Sequence, residues 1–508
     1  MSAVNYDLIV IGSGPSGQRA AVAAAKMNKR VAVVEARSVV GGVCINTGTI
    51  PSKTMREAVL HLSGYNYRSV YGMNYRVKEK ISMADLAFRV QAVIKTEVDV
   101  TEAQLSRNGI DVIHGIARFV GPHQVRVEGP QTETTLESAR IIVAVGTRPA
   151  ASPKVPVNGR TIVNSDQILN LPELPRSLIV VGGGVVGVEY ACMFAVLGVR
   201  VTLIEKRNKL LEFADQEIVE ALSYHLRDSR VTLRLGEEVE SVEELTPHPA
   251  GLDASQPAPV PGDTPPSLGT PALHPSDKPP SLGTPALGTV VANLESKKRV
   301  SGDSLLYAVG RQGNIDELNL AAAGLEADNR GRIPVDEHYQ TKVEHIFAVG
   351  DVVGFPALAS VSMEQGRIAA ARAFNDRATS SNPSFYPYGI YTIPEISFIG
   401  KTEEQLTDED VPYEVGMAYY RESARGQIRG DTTGRLKLVF HRDTRKVLGV
   451  HIIGEEASEL VHIGQAVMIL GGTVDYFIDT VFNYPTLAEC YKVAAFNGLG
   501  RLHRYQSE

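Results

Sequence analysis

Asp7-Leu-Ile-Val-Ile-Gly-Ser-Gly-Pro-Ser-Gly17 is the stretch on which the fold of this chain turns. A β-rich run enters a glycine turn, residues 19–27 leave it as an alanine-rich helical segment, and Val31-Ala-Val-Val34 ends on Glu35. Strand, turn, helix and strand in that order make a dinucleotide site. Gly12 gives the tight turn, Gly14 lets the backbone approach a pyrophosphate, and Gly17 lets helix and strand pack closely. The helix start offers unpaired N–H groups to the phosphates. Glu35 is placed to accept from ribose hydroxyls.

The unit occurs twice. Ser177-Leu-Ile-Val-Val181 leads to Gly182-Gly-Gly-Val-Val-Gly187, with Gly182, Gly184 and Gly187 in the same three roles, and Val201-Thr-Leu-Ile204 ends on Glu205. Gly12 to Glu35 and Gly182 to Glu205 both span 23 residues. The chain therefore binds two dinucleotides, or one large cofactor and one exchangeable one. Glu205 favours a free ribose 2′-hydroxyl and hence NAD(H), whereas Lys206 and Arg207 offer charge to a 2′-phosphate. A solvated basic turn is the plainer reading of those two residues.

Ala-Val-Gly closes an apolar run three times, ending at Gly146, Gly310 and Gly350. Three ordinary buried strands would account for it. The third copy runs on into Asp351, a carboxylate well placed for a polyol hydroxyl. Between the two units, residues 54–110 carry helical periodicity and are expected to cover the first sheet. Residues 246–289 repeat Pro-Pro-Ser-Leu-Gly-Thr-Pro-Ala-Leu at 265–273 and 279–287. They read as an extended or disordered insertion, with a docking peptide as the sharper alternative. From 385 onward, turns rich in proline and tyrosine precede strands at 436–440 and 447–453 and helices at 456–471 and 486–497, which is an α+β domain.

Composition sets the outer limits. The chain has 508 residues, 43% of them hydrophobic and 21% charged, which suits a globular protein of several domains. A net charge of −7 argues against a nucleic-acid partner, and no apolar run is long enough for a membrane span. The first residues carry no signal-peptide pattern. Cys44, Cys192 and Cys490 lie far apart, so neither a disulfide framework nor a zinc site is expected, and the cytoplasm is the expected compartment. The 12 histidines show no metal-ligand spacing.

The loop Gly41-Gly-Val-Cys-Ile-Asn-Thr-Gly-Thr-Ile-Pro-Ser-Lys-Thr54 then fixes the family. Together with both glycine turns, Ala348-Val-Gly-Asp351 and Tyr484-Pro-Thr-Leu-Ala-Glu489, it resembles the flavoprotein disulfide reductases (the pyridine nucleotide-disulfide oxidoreductases) over nearly the whole chain apart from 246–289. The resemblance implies an α/β protein with two Rossmann-like dinucleotide-binding domains and a C-terminal α+β dimerisation domain. The expected limits are 1–154 for the first part of the FAD-binding domain, 155–304 for the NAD(P)-binding domain, 305–380 for the central FAD-binding part and 385–508 for the dimerisation domain. FAD is implied on the first unit, at Gly12, Gly14, Gly17, Glu35, Gly42, Cys44, Thr49, Lys53, Gly146 and Asp351. A nicotinamide nucleotide is implied on the second, at Gly182, Gly184, Gly187, Glu205, Lys206, Arg207 and Gly310. A homodimer that lays the Tyr484–Glu489 segment over the partner's flavin is implied as well.

Two positions depart from the disulfide-reducing pattern. The second loop cysteine is Thr49, and the histidine before the C-terminal proline is Tyr484. Thiol–disulfide exchange needs a thiolate and a base poised near neutral pH; a threonine cannot relay electrons, and a tyrosine titrating near 10 is a poor base. One branch, the soluble pyridine nucleotide transhydrogenases, resembles the chain in both departures. The implied reaction is NADPH + NAD⁺ → NADP⁺ + NADH by ping-pong through FAD, with NAD(H) and NADP(H) as substrates. The resemblance places Lys53 beside the flavin, paired with Glu189, with Tyr484 and Glu489 completing the catalytic set. Cys44 reads as an inert packed thiol, with a redox-sensitive thiol as the alternative. The rival expectations are an NAD(P)H:quinone or dye reductase on the same scaffold, and a flavin-binding redox sensor or interaction module.

Overall fold

The computed structural model describes residues 4–130, 132–245, 290–376 and 385–507. The 246–289 repeat, expected to be extended, lies outside them. The strand Val4–Ile11 is central to the first sheet. It pairs in parallel with Val31–Glu35 on one side and Glu133–Val143 on the other. Asp111–His114 extends one edge, Gln124–Glu128 and Ile116–Gly121 extend the other, and Ile346–Ala348 also pairs with Glu133–Val143. Leu8, Ile9 and Val10 are wholly buried, because a central parallel strand must be covered on both faces.

The second sheet runs Thr232–Leu235, Arg200–Glu205, Ser177–Val181, Ser304–Tyr307, Ile162–Asn164, all parallel. Ser304–Tyr307 belongs to this sheet, so the expected limit at 304/305 cuts a strand that hydrogen-bonds into the second unit. A three-stranded antiparallel sheet, Val239–Glu244, Val290–Leu294 and Arg299–Gly302, is appended, and the 246–289 segment connects its first two strands.

The helices of 54–110 do not cover the first sheet as expected. Met55, Ala58 and Val59 of the helix Thr49–Ser63, and Leu86 and Val90 of Met83–Arg107, share a core with Val188, Ala191 and Cys192 of the helix Val185–Val196. Only the far end of Met83–Arg107, at Leu105, joins the core of the first sheet. The helix Val185–Val196 is apolar around its circumference apart from Glu189 and buries nine residues. A helix of that kind needs cover on the face turned away from its own sheet, and the helix leaving the cysteine loop supplies it. The loop of the first unit is thereby fastened to the helix of the second.

The C-terminal domain is a five-stranded antiparallel sheet ordered Tyr388–Ile390, Ile396–Gly400, Val447–Ile453, Arg435–His441, Tyr413–Tyr419. Helices Ala457–Ile469 and Glu489–Ser507 pack on it through Val461, Tyr491 and Ala494 against Leu436 and Phe440. A buried charge cluster ties it to the second unit. Lys437 and Asp215, each 1% exposed in their side chains, stand 2.9 Å apart, with Glu217 at 3.3 Å and Glu403 also on the ammonium. Leu470, Val481, Tyr484 and Phe496 of this domain are exposed. Among the described residues no helix is long and apolar enough to cross a membrane.

Candidate active site

The two glycine turns are built alike. A Cβ on Gly12 would come 2.4 Å from the Ala144 carbonyl oxygen, and one on Gly182 would come 2.6 Å from that of Ala308. Both glycines hold positive φ, +106° and +112°, which L side chains rarely adopt. The repeated Ala-Val-Gly is therefore more than a strand end: it supplies the neighbour on which each turn rests. Ala144 donates to Ile11 and Ala308 to Val181, both at 2.8 Å. At Gly17 and Gly187 a Cβ would fall 1.9 Å from the carbonyl of Gly12 or Gly182, so each helix presses on its own turn. Gly14 and Gly184 face open space, the position from which a backbone can meet a pyrophosphate.

A cavity of about 400 Å³ opens at the first turn, where the sheet order changes direction. Gly12, Gly14, Glu35, Gly42, Cys44, Thr49, Gly146 and Asp351 all line it. Ser13 knits its rim: its hydroxyl donates to Glu35 and accepts from the Gly41 N–H at 2.9 Å. The Glu35 carboxylate accepts three protein donors: the Ser13 N–H at 3.1 Å, the Ser13 hydroxyl, and the Arg37 N–H at 2.9 Å. A carboxylate has about four acceptor positions, so one remains for a ligand. Among the described residues Asp351 receives only two long bonds, from Thr147 at 3.5 Å and Ser362 at 3.4 Å. Burial raises its pKa, with Arg311 opposing. An acid with spare acceptor capacity in an enclosed cavity suits a polyol hydroxyl, and the residues present fit FAD.

Cys44 and Thr49 both line this cavity, with the Thr49 side chain close enough to the sulfur to favour its ionised form. Burial pushes the Cys44 thiol up despite Thr49. Cys192 and Cys490 are pushed up to about 12 by burial, and all three cysteines are free. A thiol held in its protonated form is a weak nucleophile.

Lys53 lies one helical turn beyond Thr49. Its ammonium meets both carboxylate oxygens of Glu189, at 2.8 and 2.6 Å. Glu189 also accepts the Tyr391 N–H at 2.8 Å, and the Lys53 ammonium sits 5.0 Å from the Tyr391 ring centroid. All three domains thus meet at one ion pair. Tyr391 was not among the expected residues, since nothing local in Tyr391-Thr-Ile-Pro394 signals contact with residues far away in sequence. Ser13 and Thr147 were missed for the opposite reason, being ordinary residues inside recognised turns.

The second unit differs from the first at its acid. Glu205 accepts from the Gly183 N–H at 2.6 Å and from Arg207 three times: N–H at 2.9 Å, Nε at 2.8 Å and Nη2 at 3.1 Å. Glu205 was expected to be available to a ribose; its acceptor positions are instead filled. Lys206 pairs with Glu238 at 2.6 Å. Gly310 holds φ +77° just past Ala308. Tyr484 and Glu489 do not reach the cavity of their own chain: Tyr484 is 74% exposed, and Glu489 begins the helix Glu489–Ser507.

Comparison with known proteins agrees with this architecture. The family model described as pyridine nucleotide-disulphide oxidoreductase matches residues 6–253 and 283–366, and the dimerisation domain of that family matches 386–495. The chain belongs to the pyridine nucleotide-disulphide oxidoreductases. A Mycobacterium tuberculosis protein named soluble pyridine nucleotide transhydrogenase is 50% identical over 499 residues, covering 98% of each chain. A Photorhabdus laumondii protein of the same name is 44% identical over 506 residues, covering 99% of this chain and 100% of its own. Among solved structures, LpdA from Mycobacterium tuberculosis shares the fold, with a TM-score of 0.82 at 24% identity over 97% of this chain and 99% of that one. The HOCl-induced flavoprotein disulfide reductase RclA from Escherichia coli matches with a TM-score of 0.79 at 26% identity, covering 97% and 99%.

Proposed function

We propose that the chain is an FAD-dependent NAD(P)⁺ transhydrogenase, exchanging hydride between NADPH and NAD⁺ without a redox-active disulfide. The observation that carries this reading is the pairing of Cys44 with Thr49. The loop carries the sequence pattern of its family but holds one protonated thiol where a disulfide needs two. The names of the relatives that match over nearly full length support it. When bound, FAD supplies a two-electron acceptor and donor for nicotinamide nucleotides.

The residues have the following parts in this reading. The N-terminal ends of the helices Pro15–Lys26 and Val185–Val196 receive the two pyrophosphates beside Gly14 and Gly184. Glu35 and Asp351 accept hydroxyls of FAD, Gly12, Gly42 and Gly146 line its cavity, and Gly17 packs the helix onto the Gly12 turn. Lys53, held by Glu189 and Tyr391, presents a fixed positive charge one turn past the cavity wall, which favours negative charge developing there. Gly182, Gly187, Glu205, Lys206, Arg207 and Gly310 form the nicotinamide nucleotide site, visited by donor and acceptor in turn. The protein acts as a homodimer through its C-terminal domain, and the dimer brings Tyr484 and Glu489 of the partner subunit toward the cavity. The exposed apolar residues of that domain fit such an interface. The domain limits are 1–154, 155 to the end of Ser304–Tyr307, from there to 380, and 385–508. Three free thiols fit a reducing cytoplasm.

The test is an assay of purified protein for NADPH-dependent reduction of a NAD⁺ analogue, with a quinone as competing acceptor. Turnover with the nucleotide pair is expected. Quinone reduction without nucleotide exchange would reject the reading in favour of a quinone reductase on the same scaffold.

A further inference from the structure

The acids ending the two Rossmann strands are equivalent in sequence and unequal in structure. Glu35 keeps an acceptor position open, whereas Glu205 has none, and the difference is the Arg207 side chain. Its Nε lies on one carboxylate oxygen of Glu205 and its Nη2 on the other, in the two-pronged geometry that guanidinium and carboxylate share. Its Nη1 is held by the exposed Glu212 at 3.1 Å. Glu205 is 6% exposed and fixed by the turn through the Gly183 N–H. The Arg207 side chain is 43% exposed and is shared between two carboxylates, the nearly buried Glu205 and the exposed Glu212. One partner is fixed in the turn, and the other faces solvent.

We propose that Arg207 is a two-position latch that lets one site take both NAD(H) and NADP(H). The inference rests on the reading of the second unit as the nicotinamide nucleotide site. With the latch closed, the Glu205 charge, which would repel a 2′-phosphate, is neutralised. The outward Nη1 then exchanges Glu212 for the phosphate, with Lys206 as a second cation one residue away. With the latch open, Arg207 turns toward Glu212 and solvent. It frees one acceptor position on each Glu205 oxygen, the arrangement that receives the two hydroxyls of an unphosphorylated ribose. An acid alone selects NAD(H), and an arginine alone selects NADP(H). An arginine that covers the acid and can leave it admits both. An enzyme that must bind the two nucleotides alternately at one place needs such a device.

The experiment is calorimetric titration of the FAD-loaded dimer with 5′-ADP and with adenosine 2′,5′-bisphosphate, which differ at the 2′ group Arg207 reads and by one 5′ phosphate, so each variant is compared with wild type on the same fragment; both report binding without turnover. Wild type binds both. Arg207→Ala weakens the bisphosphate by at least about tenfold, the loss of one charge-assisted hydrogen bond, and leaves 5′-ADP unchanged or tighter. Glu205→Gln does the reverse, weakening 5′-ADP and sparing the bisphosphate, so the latch does not rest on one variant. Arg207→Lys, which keeps the charge without the fork, falls between wild type and alanine for the bisphosphate. Equal weakening of both fragments by Arg207→Ala, or no change in either, overturns the latch while leaving the nucleotide site standing. Failure of wild type to bind either fragment overturns the nucleotide site and the latch with it.

Discussion

Lys53 and Glu189, 136 residues apart, hold one another through both carboxylate oxygens at 2.8 and 2.6 Å. The pair joins the helix of the cysteine loop to the second turn of the helix that opens the nucleotide site. Glu189 is 3% exposed, so removing its partner leaves a nearly buried carboxylate with the Tyr391 N–H as its remaining donor.

Lys53→Met is expected to lower turnover by about a hundredfold, the scale seen when a fixed group stabilising developing charge is lost, while FAD content stays that of wild type. Glu189→Gln should fall similarly, and the double variant should be little worse than either single one, because the two act as a unit. Bleaching of the flavin absorbance on mixing with NADPH measures the step. Loss of FAD from Lys53→Met would assign the pair a structural role instead.

The paired turns predict separable losses. Gly12→Ala drives a Cβ to 2.4 Å from the Ala144 oxygen at φ +106° and should yield protein without FAD. Gly182→Ala makes the same clash with Ala308 at 2.6 Å and should keep FAD but lose nucleotide binding. Flavin absorbance per chain and fluorescence quenching by NADPH distinguish the two. Equal loss of FAD in both variants would contradict the assignment of separate sites.

Cys44 is expected to be dispensable. Cys44→Ser should keep at least about half of wild-type turnover, and iodoacetamide at pH 7 should react slowly, because burial holds the thiol protonated. Loss of more than about tenfold in Cys44→Ser would return the thiol to the mechanism.

Much of this was legible in the sequence for a physical reason. A glycine turn between two apolar runs leaves a local pattern, because each glycine answers a steric demand made by its own neighbours. Both Rossmann units and two of the five strands of the C-terminal sheet followed from such patterns, while Gly42, Cys44 and Thr49 of the cavity lining came from the family resemblance. What escaped was long-range. The helix Thr49–Ser63 has an apolar face like any other, and only the near all-round apolarity of Val185–Val196 decides which core receives it. Arg207 read as a free cation, because its spacing from Glu205 does not reveal that the two side chains close on each other. Tyr391 had no signal at all.

The buried cluster predicts a stability phenotype with a defined pH sense. Lys437→Met leaves Asp215 buried without its cation and should cost about 3–5 kcal/mol in urea unfolding. Burial pushes the Asp215 carboxyl up, but His451 where acid has protonated it, the Lys437 ammonium and the Ile218 N–H outweigh it and hold it below the usual carboxylate range. Its contribution is therefore present above about pH 4 and lost below. Burial holds the fully buried His451 below its free value near 6.5, so the unfolded chain takes up a proton that the native state resists. Stability should fall as pH drops below about 6.5, and His451→Gln should flatten that limb. A midpoint independent of pH between 7 and 5 in wild type would contradict it.

The most direct test of a thiol-free exchange at one nucleotide site is steady-state kinetics with NADPH and a NAD⁺ analogue varied together. A single site visited in turn gives parallel double-reciprocal lines, unchanged in pattern in Cys44→Ser. Intersecting lines would mean that both nucleotides are bound at once and would contradict the single site.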